Sequence, residues 1–167
     1  MKVNLKKIEE EDLELLRKWR MQENVTKYML TDPIITKDSQ TEWYKKVICD
    51  NSRIDYVIMA DDNKIGYYGI TNIDNYNRSC EIGFYIGENE YRGKGIFKIV
   101  QNEIEDKIYN GLKLKKILIS VLENNPIIEL YRKNGFNVDK ALEREVVKSN
   151  KKYKVFTLYK IKGVNIN

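Results

Sequence analysis

The spacing of apolar positions changes period several times along the chain, and each change predicts a new element. Val3, Leu5 and Ile8 predict a short first strand. From Glu9 to Arg20, Leu13 and Leu16 fall at helical spacing and Trp19 or Arg20 continues the stripe. Acids fill the first turn of this helix, where the dipole favours negative charge. Asp32-Pro33 interrupts the chain. Thr36 then reads as the N-cap of a second helix reaching about Ile48, with Trp43, Val47 and Ile48 turned inward.

A β-rich block follows. Asp55–Ala60 and Lys64–Ile73 are separated by Asp61-Asp62-Asn63, a hairpin signal, and Ser79–Ile86 forms a third strand after the turn-like Asp74–Arg78. Arg92-Gly93-Lys94-Gly95 opens a long helix to about Asn110. Its apolar stripe is Ile96, Ile99, Val100, Ile104 and Ile108, with Gly111 as a left-handed stop. The near-continuous apolar run Lys116–Leu122 predicts a buried strand. Asn125 and Pro126 read as the cap and first residue of a short helix carrying Ile127, Leu130 and Tyr131 and closed by Gly135. Two last strands, about Phe136–Val147 and Lys152–Ile161, turn at Lys148–Lys151. The order β-α-α-β-β-β-α-β-α-β-β, with no repeat or linker, predicts one α/β domain over residues 1–167 with a mixed sheet.

Composition narrows the chemistry. The 167 residues include no histidine. That excludes a Ser-His-Asp or Cys-His nucleophile, a His-ligated metal or haem, and a His general base. Acid–base work must fall to Glu, Asp, Tyr, Lys, Cys or water. Cys49 and Cys80 are too few and too far apart for a metal knuckle or disulfide framework, so no metal is expected; they read as two reduced, buried thiols of a cytoplasmic protein. The opening Met1–Lys7 lacks the apolar core of a signal peptide, and runs such as Tyr56–Ala60 are far too short to cross a membrane. Net charge is +5 but uneven. Residues 1–92 hold 14 basic and 17 acidic side chains, a balance of −3, and residues 93–167 hold 16 and 8, a balance of +8. A nucleotide cofactor, nucleic acid or no partner at all accounts equally for the basic half.

The segment Glu81–Gly87 followed by Tyr91-Arg92-Gly93-Lys94-Gly95-Ile96 separates these alternatives. A strand runs into a glycine turn that opens a long helix, so backbone N–H groups and the positive helix end can meet a phosphate. Arg92, Lys94 and Lys98 reinforce the sign. A Rossmann fingerprint would need glycine at 98, which is Lys98, and a P-loop would need Ser or Thr after Lys94, where Gly95 stands. The bland alternative is a pair of glycines that merely permit a tight strand-to-helix turn.

Arg92-Gly93-Lys94-Gly95-Ile96-Phe97 resembles the acyl-CoA pyrophosphate loop of the GNAT superfamily of N-acetyltransferases, Q/R-x-x-G-x-G/A, with Phe97 at the final small position. Independently, Asn124 to Phe136 resembles the family's N-x-x-A-x-x-L-Y-x-x-x-G-F, with Asn124, Leu130, Tyr131, Gly135 and Phe136 in register and Ile127 in place of alanine. The resemblance spans roughly residues 3–161 and is firmest over 79–137. It implies a mixed, mostly antiparallel sheet with flanking helices and a splayed parallel strand pair, with acetyl-CoA as cosubstrate. Pantetheine would lie against Tyr85, Ile86 and Gly87 and the pyrophosphate against Arg92, Gly93, Lys94, Gly95, Ile96 and Phe97, while Asn124 would hold the pantetheine arm. Tyr131 matches the position whose hydroxyl protonates the departing thiolate. Glu81, or else Glu123, would serve as base, with water as the remaining alternative.

The N-terminal segment would shape the acceptor site. Arg17–Met21, Lys27–Met29, Asp32–Thr36 and Trp43 resemble one branch of the family, which contains ribosomal-protein alanine N-acetyltransferases, polyamine acetyltransferases and pseudaminic-acid-pathway enzymes acting on a UDP-4-amino-sugar. Gln40 stands where those amino-sugar enzymes often carry histidine. Trp19, Arg20 and Tyr28 suit stacking on uracil and pairing with a diphosphate, whereas a polyamine site wants clustered carboxylates. The expected acceptor is therefore a small-molecule amine, a sugar nucleotide first, with a protein N-terminus or polyamine second. No membrane or nucleic-acid partner is expected, and a homodimer is compatible. The non-enzyme alternative is a basic nucleic-acid-binding module.

Overall fold

A computed structural model describes residues 1–164; the last three residues of the expected 1–167 domain lie outside it. Seven strands form one sheet in the order β1-β2-β3-β4-β5-β7-β6. β1 (Val3–Lys7), β2 (Ile54–Ala60), β3 (Asn63–Asp74) and β4 (Ser79–Ile86) pair antiparallel in sequence. β5 (Lys116–Leu122) lies parallel to β4, and β7 (Lys151–Ile161) then joins β5 to β6 (Asn137–Lys148) antiparallel. The helices are α1 (Leu13–Met21), α2 (Glu23–Thr26), α3 (Lys37–Val47), α4 (Ile96–Asp106) and α5 (Ile127–Lys133). The result is a mostly antiparallel mixed sheet with flanking helices, as expected.

The parallel contact is brief. Only Ser79 with Lys116, Cys80 with Ile117 and Glu81 with Leu118 pair across it, and beyond these residues β4 and β5 part. One face of the sheet carries the main core, in which Ile82, Ile86, Ile104, Ile117 and Leu158 meet. On the other face Leu16 and Trp19 of α1 pack on Val57.

Local chemistry explains most boundaries. The Thr36 hydroxyl accepts from Ser39 N–H at 3.1 Å, and Ser39 Oγ accepts from Thr36 N–H at 3.0 Å, a reciprocal cap. The β6–β7 turn uses Ser149 and Asn150, both left-handed, matching the twist of a two-residue hairpin. α5 starts one residue later than expected, with Pro126 at the cap position, and Asn125 Oδ1 still accepts from Ile127 N–H at 3.0 Å.

Other expectations fail for packing reasons. The first helix begins at Leu13, after a 3₁₀ turn Glu10–Asp12. Ile48, expected inward, is 60% exposed because α3 has ended, and Trp43 is only half-buried. Ile99 and Leu130 are exposed; Phe97 and Gln101 take the buried face of α4, and Ile128 and Tyr131 that of α5. Gly111 is not left-handed: α4 runs into a π-turn, Lys107–Gly111, and the left-handed residue is Lys113. Cys80 is buried, and that burial pushes its thiol up to about 12, but Cys49 is exposed.

Candidate active site

Where β4 and β5 separate, a cavity of about 780 Å³ opens. Its floor is the end of β4 (Phe84, Tyr85, Ile86), its rim is the glycine turn and start of α4 (Arg92, Gly93, Gly95, Ile96, Phe97, Lys98), and its far wall is Asn125–Ile127 with Leu130, Lys133 and Asn134. The segment Asn24–Met29, including Tyr28, closes it. Gly95 caps α4 at φ 74°, a conformation that L side chains rarely adopt. Among the described residues no carboxylate lines this cavity, and Arg92, Lys98 and Lys133 ring it with positive charge. A slot between parted strands, ending on a helix N-terminus with cations round the rim, fits an extended arm bearing phosphates.

A second cavity of about 500 Å³ lies against the same strand. Arg20, Trp43, Arg53 and Tyr67 line it, together with Thr31 and Pro33–Ile35. Phe84, Tyr85 and Met29 line both cavities, so the two meet at Tyr85. Tyr85 stacks on Tyr67 with ring centroids 5.3 Å apart, and burial raises its phenol above the ordinary value, partly offset by Arg20. Arg53 holds Asp55 with two bonds of 2.9 and 2.7 Å, and the Tyr67 hydroxyl donates to the same carboxylate. Arg20 gives one guanidinium nitrogen to the Thr31 carbonyl and hydroxyl, both at 3.0 Å, while its buried Nη1 has no partner. Burial lowers the pKa of Arg20.

Among the residues singled out from the sequence, Tyr85, Ile86, Arg92, Gly93, Gly95, Ile96, Phe97 and Tyr28 line the larger cavity and Arg20 the smaller. Others sit elsewhere. Trp19 is core, 1% exposed, with its indole N–H on Glu88 at 2.7 Å; it cannot stack on an acceptor. Its ring presses so closely on Gly87 that any Cβ there would collide with it. The Gly87 N–H is committed to the Ile65 carbonyl at 2.8 Å, which removes it from pantetheine pairing. Lys94 leaves the cavity to lie over the Tyr91 ring, 5.0 Å from its centroid. Asn124 is exposed off the cavity wall, and its neighbour Asn125 stands in the lining instead.

The catalytic candidates are also displaced. Tyr131 is fully buried, wedged edge-on between Phe97 and Phe136 at 4.9 and 5.0 Å, and its hydroxyl lacks a partner and lies outside the cavity lining. Desolvation raises that phenol well above its ordinary value. Glu123 is exposed and its carboxylate accepts the Lys154 N–H at 2.9 Å, away from both cavities. Glu81 shares a strand face with Gly83 and Tyr85 but stops short of the lining. Arg53 and Tyr67 carried no motif in the sequence: one is a basic residue just before β2 and the other an aromatic within β3, and only the folded chain brings them together. In the cluster Glu9–Asp12, the carboxylate group the sequence offers, Lys64 bridges Glu11 and the buried Asp12 and Lys6 holds Glu9 and Glu11, so two lysines offset half of its four charges.

Four similarities accompany this geometry. The family described as Acetyltransferase (GNAT) domain matches residues 2–137. Acetyltransferase PseH of Campylobacter jejuni is 28% identical over 136 residues, covering 81% of this chain and 83% of that protein. Spermidine N(1)-acetyltransferase of Escherichia coli K12 is 30% identical over 144 residues, covering 86% and 77%. Among solved structures, spermidine N-acetyltransferase of Vibrio cholerae in complex with CoA and spermine superposes with a TM-score of 0.90 at 28% identity, covering 99% of this chain and 98% of that one. The chain belongs to the GNAT family and is an acetyl-CoA-dependent N-acetyltransferase.

Proposed function

We propose that the larger cavity takes acetyl-CoA, that the smaller takes the amine, and that the two react beside Tyr85. The neutral amine attacks the thioester carbonyl, a tetrahedral oxyanion forms, and the C–S bond breaks as the thiolate gains a proton. Tyr131 is the proton donor in this reading; entry of the acyl arm must turn the Phe97 ring to expose it and let solvent and thiolate reach a phenol that burial otherwise makes a weaker acid. Glu81, acting through water, is the better placed of the two carboxylates to receive the amine's proton. Tyr131→Phe should lower kcat at least about tenfold and leave acetyl-CoA affinity unchanged. Equal kcat would remove Tyr131 from the chemistry.

For the acceptor, the chemistry of the smaller cavity favours an anionic amine such as a UDP-linked amino-sugar. The observation that carries this is its lining, two guanidiniums and four aromatic rings with no carboxylate. A polycation would have to lose water beside Arg20 and Arg53, with Asp55 already occupied by the latter. The similarities weigh the other way: overall shape and one of the two curated relatives favour a polyamine. A thiol-release assay over UDP-amino-sugars, spermidine, spermine and peptides with free N-termini decides. Turnover of spermidine with none of a UDP-amino-sugar would overturn the anionic reading. Thermal stabilisation by CoA checks the cofactor assignment independently.

A further inference from the structure

Lys148 stands at the tip of the β6–β7 hairpin, where lysines ordinarily reach into water, yet its side chain is only 6% exposed. Its Nζ donates to the carbonyls of Thr26 and Met29, the latter at 2.9 Å, and lies 3.1 Å from Asp32 Oδ1. All three ammonium donors are therefore used, and every partner belongs to one short stretch of chain. Asp32 is tied further, accepting from Thr26 Oγ1 at 2.7 Å and from Ser149 Oγ at 2.8 Å. That stretch has little regular structure of its own beyond the end of α2. Tyr28 faces the larger cavity, Thr31 the smaller, and Met29 both.

We propose that Lys148 is a positioning residue, a latch by which the β6–β7 hairpin sets the wall that the two cavities share. A buried ammonium tolerates few arrangements, because each donor left unmatched is costly. An apolar side chain in its place would pack against the segment in several ways; the charge admits the docked one. Left-handed Ser149 and Asn150 aim the side chain, and Arg20 holds Thr31 from the opposite flank. Residues more than a hundred positions away in sequence thus govern the shape of the substrate sites. The inference rests on the larger cavity being the acetyl-CoA site.

Hydrogen exchange and CoA titration on the full chain test it, comparing wild type with Lys148→Met and Asp32→Asn, the milder variant should the first not fold. Lys152→Met is the control, since Lys152 shares the hairpin but is 76% exposed. Amides of residues 26–32 should exchange at least about tenfold faster in the latch variants with α4 unaffected. The CoA Kd should rise by a similar factor, because affinity falls with the fraction of competent conformers. Exchange that quickens throughout the sheet, or a CoA Kd within about twofold of wild type, overturns the latch. If wild type binds no CoA, the cofactor assignment fails, and the exchange pattern alone then decides whether Lys148 docks the segment.

Discussion

Phe97 shows how one residue can answer to two demands. It stands where the resembling motif has glycine or alanine, it lines the cavity, and it is nonetheless 9% exposed in the main core. Its ring meets Phe84 at 5.6 Å and Tyr131 at 4.9 Å, so it separates the aromatic stack from the slot. Phe97→Ala should therefore destabilise the protein by about 3–5 kcal/mol, as loss of a core aromatic does. Denaturant unfolding with an unchanged m-value measures this. A loss below about 1 kcal/mol would make Phe97 a loop residue that merely borders the slot. Trp19 carries the opposite lesson: an aromatic beside an arginine suggested a binding face, but the same ring serves as a floor under Gly87.

At the level of elements, legibility followed the range of the forces involved. Thr36 was readable as a cap because its partners lie within three residues. Thr36→Ala should cost about 1 kcal/mol, seen as a fall in Tm with CoA binding intact; no change would mean that α3 is held by packing alone. The hairpin turns and the glycine turn were legible for the same local reason. What escaped depends on contacts distant in sequence. The inward sides of α4 and α5 were misjudged at Ile99 and Leu130 because helical spacing defines a stripe but not which edge of it the sheet covers. The π-turn at Lys107–Gly111 shifts the helix end beyond the glycine that announced it. In the site, backbone-led features were foreseen, the turn, the parted strands and the cationic rim. Side-chain destinations such as Tyr131, Lys94 and Asn124 were not, since a motif specifies position along a strand or helix and packing decides direction.

Across the whole molecule, the buried phenols create a common response to pH. Desolvation raises Tyr67, Tyr68, Tyr85, Tyr109 and Tyr131 above the ordinary value of 10.0. Above pH 10 the unfolded chain releases these protons while the folded one keeps them, so stability is complete below pH 10 and declines as pH rises further. Each such tyrosine adds up to about 1.4 kcal/mol of loss per pH unit. A Tm that falls steeply above pH 10 is the expected result. A Tm that stays level above pH 10 would show that water reaches these rings. Charge is organised on the same scale: the basic second half supplies Lys98 and Lys133 to the cavity rim, while Glu11 and Asp12 of the acidic first half share Lys64.

The three residue pairs joining β4 to β5 give the sheet a short spine between two leaves. Leaves so joined would be expected to zip together when nothing lies between them, but here the edge is already spoken for. Arg92 occupies the Ile86 carbonyl at 2.6 Å, and the Gly87 N–H faces Ile65. At Ile86 the carbonyl is therefore satisfied from within the glycine turn and not by β5, so the parting of the leaves costs no pairing at that residue.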